Sequence, residues 1–234
     1  MKIYYLILII LFLDFTPGQK SYSEEKNINQ ISFHWALLNK KNNIIRSLDC
    51  RHEVKINKND FLSFFIQPLK NAYIYLYLYD TEKKLYFLFP SELNDFKNET
   101  YYEKKFFIPK GDNYLIFKNQ SGKIKFFLLA SKSRLKNLEK LTNDYLRYTD
   151  NINKSNIRIE IAKQKILHYI LELKHQFNQK RIKAETPVPF AGSIRGEKNN
   201  VQFEATLVQT DKTYVKTIYI NKKINEKLTE FICE

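Results

Sequence analysis

The feature that most constrains this chain is a seven-residue run, Tyr73–Tyr79, in which tyrosine alternates with isoleucine or leucine. Successive side chains of a β-strand point to opposite faces, so the tyrosines share one face and the aliphatic residues share the other. Because both faces are apolar, the run predicts a central strand that is covered on each side. The rest of the chain therefore has to place other elements on both faces of this strand.

The tyrosine face of the predicted strand allows two interpretations. It consists of Tyr73, Tyr75, Tyr77 and Tyr79. If the face is exposed, its rings form an aromatic contact face that stacks on sugars or on an extended peptide. If the face is buried, the rings pack under helices or under another sheet. We favour burial, because a continuous exposed aromatic face promotes aggregation.

Short apolar or alternating runs, separated by turn residues, continue on both sides of this strand. The run 84–89 follows after a short turn and ends at Pro90, which predicts an antiparallel hairpin with the tyrosine run. Seven to nine such strands fit between residues 31 and 131. Their spacing indicates a sandwich or a barrel rather than a fold of alternating strands and helices.

The pattern changes to a helical period after these strands. Apolar residues recur every three to four positions over 133–180, which predicts a pair of helices, with Ser133 as a candidate N-cap. We interpret 181–200, which contains Pro and Gly, as an extended crossing segment and 201–221 as a final hairpin. The predicted fold class is α+β: an antiparallel β-sandwich-like single domain over 31–234, with an inserted helical pair and a C-terminal β-hairpin.

The first residues are typical of a cleavable secretory signal peptide over 1–23. Lys2 supplies a positive charge, an unbroken apolar run covers 3–13, and small residues precede the predicted cleavage point. The run is too short to span a bilayer, which takes about 20 residues; an uncleaved anchor is the alternative. We expect an exported protein that is periplasmic, outer-membrane-associated or secreted, with a flexible lead over 24–30.

Two cysteines, Cys50 and Cys233, follow the predicted signal peptide. In an oxidising compartment they are candidates for a disulfide that ties residue 233 back to the first part of the fold. The alternative is a pair of thiols that never meet. Cys50 also lies two residues before His52, but a Cys–His nucleophile is defined in space and not by adjacency, so we prefer the disulfide role.

The chain is strongly basic, with a formal net charge of +14. Such a surface attracts anions, including acidic lipids and polyanionic glycans, although a lysine-rich composition without any ligand is the alternative. The candidate anion-binding surface on the second predicted helix consists of Lys163, Lys165, Lys174, Lys180 and Arg181. An amphipathic basic helix either lies on a membrane surface or packs on the sheet, and we favour packing because the sheet needs a cover.

An ordered set of landmarks extends over residues 59–131. The tyrosine run is followed by Leu88-Phe89-Pro90, then by Ile108-Pro109, and finally by Ala130-Ser131. In order and spacing the set resembles the bacterial family DUF4384, a domain of unknown function, although Lys83 departs from its usual turn glycine. The resemblance implies a small β domain of an envelope or secreted bacterial protein, acting as an accessory sensing or binding module. It implies no catalytic residues.

The chain shows no pattern of catalytic or metal-binding residues. Its four histidines lack the converging ligands that a zinc site needs; they are His34, His52, His168 and His175. The sequence contains neither a Gly-x-Ser-x-Gly nucleophile elbow nor a Gly-rich phosphate loop before a helix. We therefore predict no enzyme activity, no cofactor and no metal site.

These patterns together favour an exported, non-enzymatic binding or assembly module of a bacterial cell envelope, with an envelope protein as its partner. The first alternative is an electrostatic binder of anionic lipid or polyanionic glycan that uses the basic helix. The second alternative is a hydrolase with an unrecognised site. Nucleic acid is not expected as a partner, because nucleic-acid binding conflicts with export.

Overall fold

The computed structural model describes residues 30–42, 44–57, 60–97, 101–111, 113–117, 121–150, 156–177, 185–193 and 200–222. The predicted signal peptide, Lys180, Arg181 and Cys233 lie outside these residues. The strands are β1 (Ile31–Lys41), β2 (Ile44–Ser47), β3 (Val54–Ile56), β4 (Phe61–Lys70), β5 (Tyr73–Tyr79), β6 (Leu85–Phe89), β7 (Phe106–Ile108), β8 (Gly122–Ser131), β9 (Glu185–Ser193), β10 (Asn200–Thr210) and β11 (Tyr214–Lys222). The α-helices are α1 (Lys136–Thr149) and α2 (Asn156–Phe177), and a 3-10 helix covers Leu93–Lys97.

The strands form two sheets that face each other. The first sheet has the order β7-β4-β1-β10-β9, with β2 also paired to β1, and the second has the order β3-β11-β8-β5-β6. The paired strands are antiparallel except for β3 and β11, which are parallel. This arrangement confirms the predicted α+β, sandwich-like fold class, including the β5–β6 hairpin.

Strand β5 is covered on both faces, as its alternation predicts. Ile74 and Leu76 are fully buried in the core between the two sheets. Tyr75 and Tyr77 point to the opposite face and are buried in a second core formed with the helices. The described part of the chain therefore forms three layers, with the second sheet in the middle.

The two helices cover the outer face of the second sheet with one apolar stripe each. In α2 this stripe contains Ala162, Ile166, Ile170 and Leu173, which recur at helical spacing and are all buried. Helix α1 begins at Lys136, so the N-cap prediction for Ser133 is wrong. The residue before the helix, Leu135, has no side-chain cap of its own; its backbone N–H instead donates to the Tyr75 hydroxyl across 2.9 Å.

The C-terminal strands lie close to their predicted positions but do not pair with each other. Strand β10 pairs with β1 and β9 in the first sheet, whereas β11 pairs with β8 and β3 in the second. The hairpin predicted over 201–221 is therefore wrong in its pairing. The physical reason is burial: Val208 and Ile218 both enter the core between the sheets, so the two strands face each other across that core.

The predicted crossing segment contains a strand. Strand β9 pairs with β10 along its whole length, so the C-terminal hairpin of this fold is β9–β10. Pro187 and Pro189 are tolerated because β9, among the described strands, is the last of its sheet and pairs on one side only. The first half of β10 does not pair with β1. Its Phe203 packs with Phe190 of β9 against Phe65, and these rings form a third apolar cluster.

Candidate functional site

The predicted aromatic contact face lies under the helices. Tyr75 and Tyr77 are fully buried, and Tyr73 and Tyr79 at the strand ends are half-buried. The Tyr75 hydroxyl donates to the Glu139 carboxylate across 2.6 Å, and the Tyr77 hydroxyl is bonded to Thr142 across 2.8 Å. The structure therefore favours the buried interpretation of these rings.

Burial and the Glu139 carboxylate together raise the pKa of Tyr75 well above its ordinary range. Arg134 forms a bidentate hydrogen bond with the same carboxylate and balances its charge. The network thus joins β5, α1 and the short segment that leads from β8 into α1. Its position beneath the helices indicates a structural role.

The described lysines of the predicted anion-binding surface do not form one exposed patch. Lys163 is buried, and its ammonium group donates to the backbone oxygen of Lys83 across 2.7 Å and forms an ion pair with Glu160. Lys174 is half-buried and donates to Thr217 of β11 across 3.2 Å. Lys165 is exposed. Two of these three ammonium groups therefore bind the body of the protein.

The four histidines are dispersed. His34 lies on β1 beside Gln67, His168 forms an exposed pair with Glu172, and His52 and His175 are exposed. Among the residues that the structure describes, no three His, Cys, Asp or Glu side chains converge as metal ligands. Over the same residues, no helix is long and apolar enough to cross a membrane.

One cavity, which we call the strand-exchange cleft, lies where β1 changes its neighbour. Residues 31–35 of β1 pair with β10, and residues 38–41 pair with β2. Between these two stretches a cleft of about 270 Å³ opens. Its lining includes Trp35, Leu37, Cys50, Glu185, Thr206 and Lys216. The side chains thus come from both sheets and from the connection between β2 and β3.

Two charged side chains inside the strand-exchange cleft, Glu185 and Lys216, form an ion pair. Glu185 accepts a hydrogen bond from the Tyr214 hydroxyl and one from Lys216, each across 2.7 Å. The Lys216 ammonium also lies 5.2 Å from the centre of the Trp35 ring. Burial raises the pKa of Tyr214 well above its ordinary range, and Glu185 adds to the rise.

Cys50 lies in the wall of the same cleft. Burial raises the pKa of its thiol to about 12, although the nearby Lys216 acts in the opposite direction. At neutral pH the thiol is therefore protonated and a poor nucleophile. The adjacent Asp49 and Arg51 bind each other through two side-chain hydrogen bonds of 2.8 and 2.9 Å, which hold the pKa of Asp49 well below its usual range.

A second cavity, which we call the edge groove, lies at one edge of the sandwich. It has a volume of about 220 Å³ and runs between β6 and β7, which are the outermost strands of the second and the first sheet at this edge in the described part of the chain. Its lining includes Phe87, Leu88, Phe89, Phe106, Ile108 and Lys110. Phe89 and Phe106 meet edge to face across the groove, with ring centres 4.9 Å apart.

The edge groove is apolar inside and basic around it. Lys104 is exposed just before β7, and Lys110 is exposed shortly after it. The ammonium of Lys105 lies instead 4.7 Å from the centre of the Phe190 ring, in the third apolar cluster. The Lys104 ammonium lies 5.6 Å from the centre of the Phe106 ring. An apolar groove with cations around it suits an apolar side chain that is flanked by carboxylates.

Sequence reasoning missed both cavities, because each forms from segments that are far apart along the chain. A partial signal existed for the edge groove. Two landmarks of the family resemblance, Leu88-Phe89-Pro90 and Ile108-Pro109, contribute residues to its opposite walls. No such signal marked the strand-exchange cleft. Of its lining residues, only Cys50 was singled out from the sequence, as a candidate disulfide residue.

The fold defines the protein as an α+β sandwich with a helical layer on one sheet, a cleft where β1 changes its neighbour and a groove between β6 and β7. No protein-family model matches the chain, and no curated protein or solved structure matches it either. The resemblance to DUF4384 therefore stays a prediction.

Proposed function

We propose that the protein is an exported, non-enzymatic binding or assembly module of a bacterial cell envelope, and that its edge groove holds an extended, acidic segment of a partner protein. The observation that carries this proposal is the convergence of two distant landmarks, Leu88-Phe89-Pro90 and Ile108-Pro109, on one apolar groove. The export component comes from residues 1–23 and from the resemblance to DUF4384.

The groove suits an extended segment for a geometric reason. Strand β6 pairs with β5 on one side and is the last strand of its sheet within the described residues. An extended segment can add to such an edge through main-chain hydrogen bonds, while pockets for alternate side chains supply specificity. The apolar lining of the groove, which includes Phe87, Leu88 and Ile108, suits an apolar side chain, and the lysines beside it attract acidic neighbours of that side chain.

Two matched double variants test the proposal by charge reversal. The groove variant carries Lys104→Glu and Lys110→Glu. The control variant carries Lys136→Glu and Lys140→Glu, which changes the net charge equally at exposed positions in the first turns of α1. Each tagged protein is used to capture partners from the detergent-solubilised envelope of its own bacterium, with washes at low and high salt.

We expect the wild type and the control variant to retain the same envelope protein through the high-salt wash, and the groove variant to lose it. Equal retention by the groove variant would exclude the groove as the binding site. Recovery of only acidic lipid or glycan, removed by salt and weakened equally by both variants, would contradict the assembly module and support the electrostatic alternative.

A further inference from the structure

Helix α2 is apolar on two opposite faces. One face packs on the second sheet through the buried stripe that contains Ile166 and Ile170. On the other side Ile157, Ile161 and Leu171 are 71%, 50% and 48% exposed. Successive residues of a helix are turned by about 100°, so these three lie within an arc of about 80°, directly opposite the buried stripe. A helix that is apolar all round is normally covered all round.

The outer face of α1 is different, although it belongs to the same helical layer. Its exposed residues are all polar: Lys136, Asn137, Lys140, Asn143, Arg147 and Thr149. The exposed isoleucines and leucine are therefore a property of α2 and not of the layer as a whole. Exposed apolar surface of this kind marks an interaction site.

Two opposite charges flank the apolar outer face of α2. Arg158 and Glu172 lie on the same side of it, fourteen residues apart, which is about 21 Å along a helix. Glu172 forms an exposed pair with His168, and Arg158 has no ion-pair partner among the described residues. An antiparallel copy of the same helix would bring the acidic end of this flank to the basic end of the other.

We propose that the outer face of α2 binds α2 of a second copy of this chain, antiparallel, about a two-fold axis level with Lys165. In this register Leu171 of the partner subunit lies between Ile157 and Ile161, as a knob enters a hole in a coiled coil. Glu172 of the partner subunit is level with Arg158. The two-fold axis repeats each of these contacts.

The dimer should be weak. Helix α2 has 22 residues and is about 33 Å long, so a single pair of such helices makes an interface at the low end of the specific range. The two Lys165 side chains repel each other near the axis, as do the net charges of +14. We therefore expect a Kd on the order of 10 μM. The dimer carries two edge grooves, but its formation does not depend on what those grooves bind.

Sedimentation velocity over about 1 to 500 μM protein measures this association. Leu171→Lys replaces the central apolar contact by a charge and should raise the Kd by on the order of 100-fold. Ile44→Lys is the matched control, because it makes the same kind of change at a 52% exposed apolar residue of β2 in the other sheet. The control should dimerise as the wild type does.

An exchange of charges tests the register. Arg158→Glu and Glu172→Arg should each raise the Kd by about tenfold, because each turns two symmetry-related attractive pairs into repulsive ones. The variant with both changes should recover the Kd of the wild type. The two residues are too far apart within one molecule to compensate for each other, so recovery reports a contact between two copies. Circular dichroism checks that every variant keeps its helix content.

Three results would overturn the proposal. The wild type could stay monomeric over the whole concentration range, or its dimer could survive Leu171→Lys. Alternatively, a monomeric wild type could bind phosphatidylglycerol vesicles and lose them on Leu171→Lys, which would make a membrane the occupant of this face. The edge-groove variant with Lys104→Glu and Lys110→Glu should dimerise normally, so this test and that of the edge groove fail separately.

Discussion

The Tyr75 hydroxyl and the Glu139 carboxylate form a buried hydrogen bond of 2.6 Å that joins the second sheet to α1. The same hydroxyl accepts the backbone N–H of Leu135, which comes directly before the helix. One phenolic oxygen thus serves both as a donor to a carboxylate and as the cap of a helix. The helical layer is held to β5 by this polar contact as well as by its apolar stripe.

We predict that Tyr75→Phe lowers the free energy of unfolding by about 1–3 kcal/mol, because a buried carboxylate and a backbone N–H both lose a partner. Tyr77→Phe is the matched control. It removes a neutral contact with Thr142, whose hydroxyl keeps its bond to the backbone oxygen of Leu138, so we expect a loss of about 0.5–1.5 kcal/mol. Urea denaturation measures both. An equal or reversed order would contradict the role given to Tyr75.

The buried Lys163 ammonium should stabilise the docking of α2. Lys163→Met removes its bond to the Lys83 backbone oxygen, and we expect a loss of about 1–3 kcal/mol, because that oxygen loses its charged donor. Lys165→Met, two residues away and exposed, should change stability by less than about 0.5 kcal/mol. Thermal unfolding at matched pH distinguishes the two variants. Similarly small stability changes in the two variants would contradict the structural role of Lys163 and support its place in the candidate anion-binding surface.

The thiol of Cys50 should be unreactive in the folded protein. In a Cys233→Ser background it is the only thiol, and its pKa of about 12 compares with an ordinary value of 9.0. At pH 8 we expect alkylation by iodoacetamide to be on the order of 1,000-fold slower than in denaturant. Comparable rates in the two conditions would show that the thiol is not buried.

The same pKa predicts the sign of a pH effect on stability. Between pH 9 and about 12 only the unfolded state releases the Cys50 proton, so stability falls as the pH rises through this window. Below pH 9 the thiol is protonated in both states and has no effect on the pH dependence. Denaturant titrations at several pH values measure this effect. In the Cys50→Ala variant the free energy of unfolding should fall less steeply with rising pH, and the buried tyrosines account for the decline that is left.

The third apolar cluster should hold the β9–β10 hairpin to the first sheet. Phe203→Ala removes a buried ring that contacts Phe65 and Phe190, and we expect a loss of about 3–5 kcal/mol. Phe203→Leu, which keeps most of the apolar volume, should cost less than about 1.5 kcal/mol. Hydrogen exchange should show lost protection in β9 and the first half of β10 only. Uniform loss over both sheets would mean that the cluster belongs to the common core.

The edge groove shows what a local sequence pattern can predict and what it cannot. The prolines after Phe89 and Ile108 indicated where two strands end, and the structure places those ends on opposite walls of one cavity. The landmarks were visible in the sequence, but their proximity was not. They are about twenty residues apart, and only the packing of two different sheets brings them together.

The sequence alone determined the elements whose signal is local. The alternation in Tyr73–Tyr79 required cover on both faces, and the stripe with Ile166 and Ile170 required a surface on which to pack. The tertiary structure alone decided the partners of the strands. Strands β10 and β11 join different sheets, and β1 exchanges β10 for β2 at the cleft. Side-chain periodicity indicates which face of a strand is buried. Strand pairing depends instead on backbone groups, which are the same in every strand. The choice of partner is therefore made by long-range packing, which selects among the available strand edges.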